Sequence, residues 1–394
     1  MKRIVFDLTK TQPQLCHNSK YHGGGKYGIA VFRKLSEMAP ERLIAYYNDE
    51  LYINDEIIKI IQDKNITVYY VKDISIFDLV KNNDSIIYSP IFDKEYIQHK
   101  SVFVYTTIHD IRNLILYSDQ YMFSYRTNIS FVNKVKRFIG TLATPLFIKY
   151  KKRKALRFYD SIFKCKQLQF VTVSQFSKYA ILSHFPYINT NDINVYYSPS
   201  SICNEELSDK PKQYGKYWLI VSGNRWVKNS IRAIIAFDKL FSEHPNLNGN
   251  VVITGLQSLK DLKIHVNNKS RFICIGYVSE RELKSLYHYA YAFVYPTLSE
   301  GFGYPPLEAM HESCPVICSA VASIPEICGD AALYFNPYSV SEIATRIFQF
   351  ENEALRNEYA MKGKARQALI ESKQNSDLAE LCRGLLESID TFAS

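Results

Sequence analysis

The chain has 394 residues, more than one ordinary core of about 100 to 200 residues holds, so two domains are expected. A hydrophobic share of 47%, with 30 Tyr and 23 Phe, excludes a disordered chain. The net charge of +9 is concentrated, because residues 120–159 carry ten Lys and Arg and no Asp or Glu, which leaves the remainder near neutrality.

Runs rich in Ile, Val, Tyr and Phe alternate with helical-period stretches, the pattern of βαβ units and parallel sheets. Strands are predicted from Ile4 to Leu8, Leu43 to Tyr47, Thr67 to Val71, Ser85 to Tyr88, Val102 to Thr106 and Phe170 to Val173. The polar, proline-bearing stretch from Ser198 to Gly215 breaks the series. A second series follows, from Trp218 to Ser222, Val251 to Thr254, Phe272 to Ile275, Ala292 to Tyr295, Pro315 to Ser319 and Ala331 to Phe335. Ser279 and Glu282 form a capping box before one of the intervening helices. The expected division is an N-terminal Rossmann-like domain, residues 1–200, and a C-terminal one, residues 201–394, both doubly wound α/β. A basic amphipathic insert at about 121–159 belongs to the first.

Gly23, Gly25 and Gly28 satisfy G-x-G-x-x-G, and Asp49 lies 21 residues beyond Gly28, as in a dinucleotide-binding fold. That fold needs the glycine turn directly off the first strand, yet fourteen residues separate Leu8 from Gly23. What remains is a polar loop ending in Gly23, Gly24 and Gly25, then a helix through Ile29, Phe32 and Leu35 whose first amides could receive an anion or sugar hydroxyls. His109 and Asp110 follow the run VFVYTTI, at a strand's carboxyl end, where open α/β sheets bind ligands. His109 there serves either substrate or a structural His–Asp pair.

In the second series the strand YWLIVSG leads into Asn224, Arg225, Trp226, Val227, Lys228 and Asn229 and then a helix. Arg225 and Lys228 at such a junction suit a phosphate, with a planar fork, a point charge and a helix dipole. The stretch Glu300, Gly301, Phe302, Gly303, Tyr304, Pro305, Pro306, Leu307, Glu308 follows the strand AFVYP. Pro305 and Pro306 start a helix with Glu308 in its first turn, and the two glycines let backbone amides approach a small polar ligand between two carboxylates.

Together these motifs resemble the family-4 (GT4) retaining glycosyltransferases of the GT-B fold, the glycosyl transferases group 1. Glu300 and Glu308 match the family's E-x7-E, and the run PVICSAVASIPEICGDAALYF matches its tail. The resemblance implies two Rossmann-like domains facing a central cleft, and transfer of a sugar from a nucleotide diphosphate sugar to a hydroxyl of a glycan or lipid-linked acceptor. It implies that Arg225 and Lys228 bind the donor diphosphate, Glu308 the ribose, and Gly301, Phe302, Gly303 and Tyr304 the donor sugar. Glu300 and His109 are the implied catalytic residues. No metal and no cofactor are expected, since Arg and Lys supply the charge. A bacterial surface polysaccharide or lipopolysaccharide is the expected product. A catalytically silent GT-B subunit and a nucleotide-sugar epimerase are the alternative readings.

Cys16, Cys165, Cys203, Cys274, Cys314, Cys318, Cys328 and Cys382 show no metal-ligand spacing and read as reduced core residues. No run reaches the roughly 18 apolar residues of a membrane span, and the expected location is cytoplasmic. Ile129, Val132, Val135, Phe138, Ile139 and Leu142 recur at helical spacing with Lys134, Lys136 and Arg137 off the stripe. The following LFIKYKKRKALRFY interleaves aromatic with basic residues. This pattern points to peripheral docking on an anionic membrane rather than to nucleic acid, because an apolar stripe has no purpose on a phosphate backbone.

Overall fold

The computed structural model describes residues 2–13, 23–81, 85–116, 119–122, 124–125, 144–200, 202, 205–209 and 211–391. Two all-parallel sheets form the frame. The first has strands β1 (Ile4–Asp7), β2 (Leu43–Tyr47), β3 (Thr67–Tyr70), β4 (Ile86–Ser89), β5 (Val104–Ile108), β6 (Leu168–Thr172) and β7 (Asn194–Val195), in the order β3-β2-β1-β4-β5-β6-β7. The second has β8 (Tyr217–Ile220), β9 (Asn250–Ile253), β10 (Phe272–Cys274), β11 (Ala292–Tyr295), β12 (Val316–Ser319) and β13 (Ala332–Phe335), in the order β10-β9-β8-β11-β12-β13. Central strands such as β1, β4, β8 and β11 are buried along their whole length. Helices cover such sheets on both faces, so their strands read as continuous apolar runs rather than alternating ones.

In each sheet the chain first builds outward on one side and then returns to the other side of its first strand. The order therefore reverses between β1 and β4, and again between β8 and β11. Ligands of doubly wound sheets bind outside the carboxyl ends of the strands at that switch point. The segments leaving β8 and β11 are those that carry Arg225, Lys228 and Glu300.

The compact units correct the expected division at residue 200. One unit is Met1–Ile111, Leu156–Ser201 and Glu371–Ser394, and the other is Arg112–Ala155 with Ile202–Ile370. The end of the chain belongs to the first unit because the helix Glu353–Thr391 buries Leu381, Cys382, Leu385 and Ile389 on one face. On the same helix Asp377 accepts the Tyr197 amide at 2.8 Å, and Asp390 pairs with Arg42 at 2.7 Å. Residues 112–155, expected with the first domain, cluster with the second through contacts of Asp119 and Tyr125 described below. The Ser279–Glu282 capping box is present on the helix Glu280–Tyr289. Cys165, Cys274, Cys314, Cys318, Cys328 and Cys382 are free, and the last four are buried; Cys16 and Cys203 lie outside the described residues.

Candidate active site

The turn after β8 is a tightly fixed piece of backbone. Gly223 has no room for a Cβ, which would stand 2.5 Å from the Ile253 Cγ2. Trp226–Lys228 make a single 3-10 turn, and Asn229 ends it in the left-handed region at φ 54° before the helix Ser230–Glu243. Asn is among the few side chains that enter this region at low cost. Its amide nitrogen donates to the carbonyls of Pro296 and Pro337, both at 2.9 Å, and its amide oxygen accepts from Arg232 at 2.8 Å. The Leu298 amide donates to the Val227 carbonyl at 2.8 Å, so the turns leaving β8 and β11 are stitched together.

This stitching sets Lys228 beside Glu300. The ammonium lies 2.8 Å from the carboxylate, and their side chains are only 8% and 14% exposed. Lys228 also donates to the Tyr295 hydroxyl at 2.6 Å, and the Thr297 hydroxyl donates to Glu300 at 2.6 Å. Burial alone would raise the Glu300 carboxyl, but the Lys228 charge, its hydrogen bond and the Thr297 hydroxyl hold it below its ordinary value. Burial lowers the Lys228 ammonium against the pull of Glu300, and the positive charges of Arg225 and Arg112 act in the same direction as burial. Arg225 itself is exposed. Lys228 is therefore part of a buried ion pair, while Arg225 is the cation presented outward.

Beyond Glu300 the chain turns through Gly303, whose φ of 131° favours glycine, and a Cβ there would meet Ile324 Cδ1 at 3.0 Å. The helix Tyr304–His311 begins one residue before the two prolines. Glu308 consequently sits in its second turn, not the first as expected. The Tyr287 hydroxyl donates to Glu308 at 3.3 Å, and burial together with the Glu308 charge pushes that phenol well above its ordinary value. Ser323 braces the loop from behind, its hydroxyl reaching the carbonyls of Glu300 and Phe302.

In the first unit the helix is longer than expected at its start, Gly23–Met38, so Gly23, Gly24 and Gly25 form its first turn rather than a loop. Residues 14–22, the rest of that expected loop, lie outside the described residues. His109 leaves the end of β5 with Nε2 at 2.9 Å from the Pro90 carbonyl. A carbonyl only accepts, so Nε2 carries the proton. The ring meets Tyr27 of the glycine helix edge to face at 4.9 Å. Gly28 lets the same helix lie close against Thr11 and Pro90, since a Cβ would stand 2.7 Å from Thr11 Cγ2 and 2.9 Å from Pro90 Cγ. Asp49, the decoy ribose ligand, is a surface residue paired with Lys72.

Within the second unit the structure thus brings together Arg225, Lys228, Glu300 and the backbone 301–304, with Glu308 on the helix that follows. Sequence reasoning missed Tyr295, Thr297, Ser323 and Arg112. The first two lie at the carboxyl end of β11, a position that itself marks them as candidates.

Residues 204–376 match the family described as glycosyl transferases group 1. The chain is 31% identical to the O-antigen chain mannosyltransferase RfbU of Salmonella typhimurium over 228 residues, which are 54% of this chain and 62% of that protein. It is 30% identical to the O-antigen chain mannosyltransferase B of Escherichia coli over 192 residues, 45% of this chain and 50% of the relative. The aligned parts thus span between half and two thirds of those relatives. Among solved structures, Anabaena Alr3699/HepE in complex with UDP superposes with a TM-score of 0.64 at 14% identity, over 99% of this chain and 100% of that one. WaaG, a glycosyltransferase involved in lipopolysaccharide biosynthesis, gives 0.60 at 13% identity, over 98% and 100%. At such identities the likeness speaks to fold alone, and the fold is GT-B. Residues 204–376 are thus the part of the chain that is similar to the glycosyl transferases group 1 family.

Proposed function

We propose that the protein is a retaining glycosyltransferase that moves a sugar, mannose, from a nucleotide diphosphate sugar to a hydroxyl of a glycan or lipid-linked acceptor in the synthesis of a bacterial surface polysaccharide. The observation that carries this reading is the buried Lys228–Glu300 pair at the switch point of the second sheet, with Arg225 exposed beside it. Mannose is chosen because two relatives are named mannosyltransferases of the O-antigen chain. In the reaction, the bond from the anomeric carbon to the phosphate oxygen breaks and its electron pair stays on the diphosphate. The acceptor oxygen bonds to the anomeric carbon on the same face, and its proton passes to the departing phosphate oxygen. Arg225 stabilises the growing negative charge, a fixed cation being worth most where it need not reorganise. Glu300, held ionised by Lys228 and Thr297, accepts hydroxyls of the donor sugar and faces the positive charge that develops on the ring. Glu308 accepts the ribose hydroxyls of the nucleotide. His109, its ring fixed by Pro90, lies at the carboxyl end of its own sheet as a group for the reaction centre.

A panel of nucleotide sugars, scored in excess chelator for thermal stabilisation and slow release of nucleoside diphosphate, tests this reading. One donor, a mannose nucleotide, should stand out, and the chelator should not matter because no metal takes part. Stabilisation by none, or strict dependence on a divalent ion, would contradict it.

The same reading places the enzyme in the cytoplasm, docked on the inner face of an anionic membrane. On the helix Thr144–Phe163, Lys149, Lys151, Arg153, Lys154 and Arg157 are exposed, and so are Tyr150 at 63% and Phe158 at 37%. Tyr159 and Ile162 are buried, and Phe163 packs near Phe170 and Phe185, each at 4.9 Å between ring centres. The apolar side of this piece therefore covers the protein, and what it offers a membrane is charge with two aromatic anchors. The stripe from Ile129 to Leu142, with Lys134, Lys136 and Arg137, lies outside the described residues. Among the described residues no helix is long and apolar enough to cross a membrane. With roughly 1 kcal/mol per basic residue near an anionic surface, flotation should show binding to anionic but not neutral vesicles. Changing Lys151, Lys152, Arg153 and Lys154 together to Gln should abolish most of it. Equal binding by that variant would contradict membrane docking.

A further inference from the structure

The chain segment that follows β5 does not end its role with His109. Residues 119–122 and 124–125 lie in the second unit, against the turn that carries Arg225 and Lys228. Asp119 Oδ1 accepts the indole N–H of Trp226 at 2.8 Å, and the same oxygen accepts the backbone amides of Tyr121 and Met122 at 3.0 and 3.1 Å. Asp119 Oδ2 stands 2.6 Å from the Arg232 guanidinium, and the two side chains are only 16% and 7% exposed. Arg232 lies 4.7 Å from the Tyr121 ring and 5.1 Å from the Tyr338 ring, and it donates to Asn229. The Tyr125 hydroxyl oxygen accepts the Ile231 amide at 2.8 Å in the first turn of the helix Ser230–Glu243.

The Ile231 amide, at the helix start that sequence reasoning offered to the diphosphate, is already taken by the Tyr125 hydroxyl oxygen. Of the turn's two cations Lys228 is paired with Glu300 and Arg225 is exposed, and Trp226, the residue Asp119 grips, stands between them in the chain. A carboxylate so nearly buried is held by three N–H donors on Oδ1 and by the Arg232 charge beside Oδ2, and loss of one partner releases the others.

We propose that Asp119 is a positioning residue for the donor site: through Trp226 and Arg232 it holds the turn Arg225–Asn229 in the geometry that binds a nucleoside diphosphate. The donor site is thereby completed by a segment that the chain supplies from its first half. This rests on the donor reading given above. A carboxylate that only filled the core would affect unfolding and leave the turn's affinity for ligand untouched, and that difference makes the proposal testable.

The test uses the full chain with D119A, D119N, W226F and the double variant D119A/W226F. Affinity for guanosine and uridine diphosphates is measured by calorimetry, and amide hydrogen exchange over residues 222–231 is followed without ligand. D119A should lose about tenfold in nucleoside diphosphate affinity, the size of one well-made charged hydrogen bond. W226F should lose less, and the double variant should be no weaker than D119A, since both remove one contact. D119N keeps an acceptor for Trp226 and should recover part of the loss. Exchange in D119A should quicken at residues 222–231 and stay unchanged in β9 and the helix Glu280–Tyr289. Unchanged exchange, or quickened exchange with wild-type affinity, would overturn the proposal. If D119A does not fold, D119N and W226F carry the same two readouts. Failure of the wild-type chain to bind either nucleotide would instead count against the donor reading, and the exchange data would still decide the positioning role.

Discussion

Lys228→Ala is expected to destabilise the protein by about 3 to 5 kcal/mol, because it leaves the Glu300 carboxylate buried beside Thr297 without its cation. Adding Glu300→Gln to that variant should restore part of the loss, since a neutral amide no longer needs the ammonium. Urea unfolding of the two single variants and the double variant measures both quantities. If the double variant loses the full sum, the pair is not coupled as described. The pH dependence has a definite sign. Glu300 is held below its ordinary value in the folded protein, so its contribution is fully present above the unfolded carboxyl value of about 4.3. It is lost as the pH falls through the lowered folded value. In Glu300→Gln that acid-side loss should shrink.

Glu300→Gln should cost turnover on the order of 10²- to 10³-fold, as removal of one fixed electrostatic contact to a developing charge does elsewhere. Its affinity for nucleoside diphosphate should change little, because Arg225 and Glu308 are left in place. Arg225→Ala and Glu308→Gln should show the opposite balance, each weakening nucleotide binding about ten- to hundredfold. Steady-state kinetics with the preferred donor, beside direct titration of the nucleotide, separates the two behaviours. A turnover defect in Glu308→Gln with normal nucleotide affinity would exchange the roles of the two glutamates.

The strands were legible because buried parallel strands concentrate Ile, Val, Tyr and Phe in short runs with polar breaks. Among the described residues, twelve of the thirteen strands stand within about two residues of their sequence positions. The exception, β7, is the pair Asn194–Val195 at a sheet edge, too short and too polar to give a pattern. The site motifs at Arg225–Asn229 and Glu300–Glu308 were legible for a related reason, since strand ends reveal where a doubly wound sheet meets its ligand. Their partnership was not, because Lys228 and Glu300 are 72 residues apart and only the packed turns after β8 and β11 bring them together. The destinations of the last helix and of Asp119 were hidden likewise. Nothing local in the Glu353–Thr391 helix says that its later turns pack on the first unit while its beginning stays with the second. Asp119 reads as a loop acid until Trp226 and Arg232 are seen around it. At the glycine helix, local freedom misled, because Gly23 to Gly25 suggested a loop where the structure has a helical turn.

The most direct test of the central claim is the anomeric configuration of the product, read by proton NMR as the sugar passes from its preferred nucleotide donor to an acceptor hydroxyl. Retaining transfer at the Arg225, Lys228 and Glu300 site predicts a glycoside with the donor's own anomeric configuration, formed one for one with nucleoside diphosphate. An inverted glycoside, or nucleotide release with no glycoside formed, would contradict it.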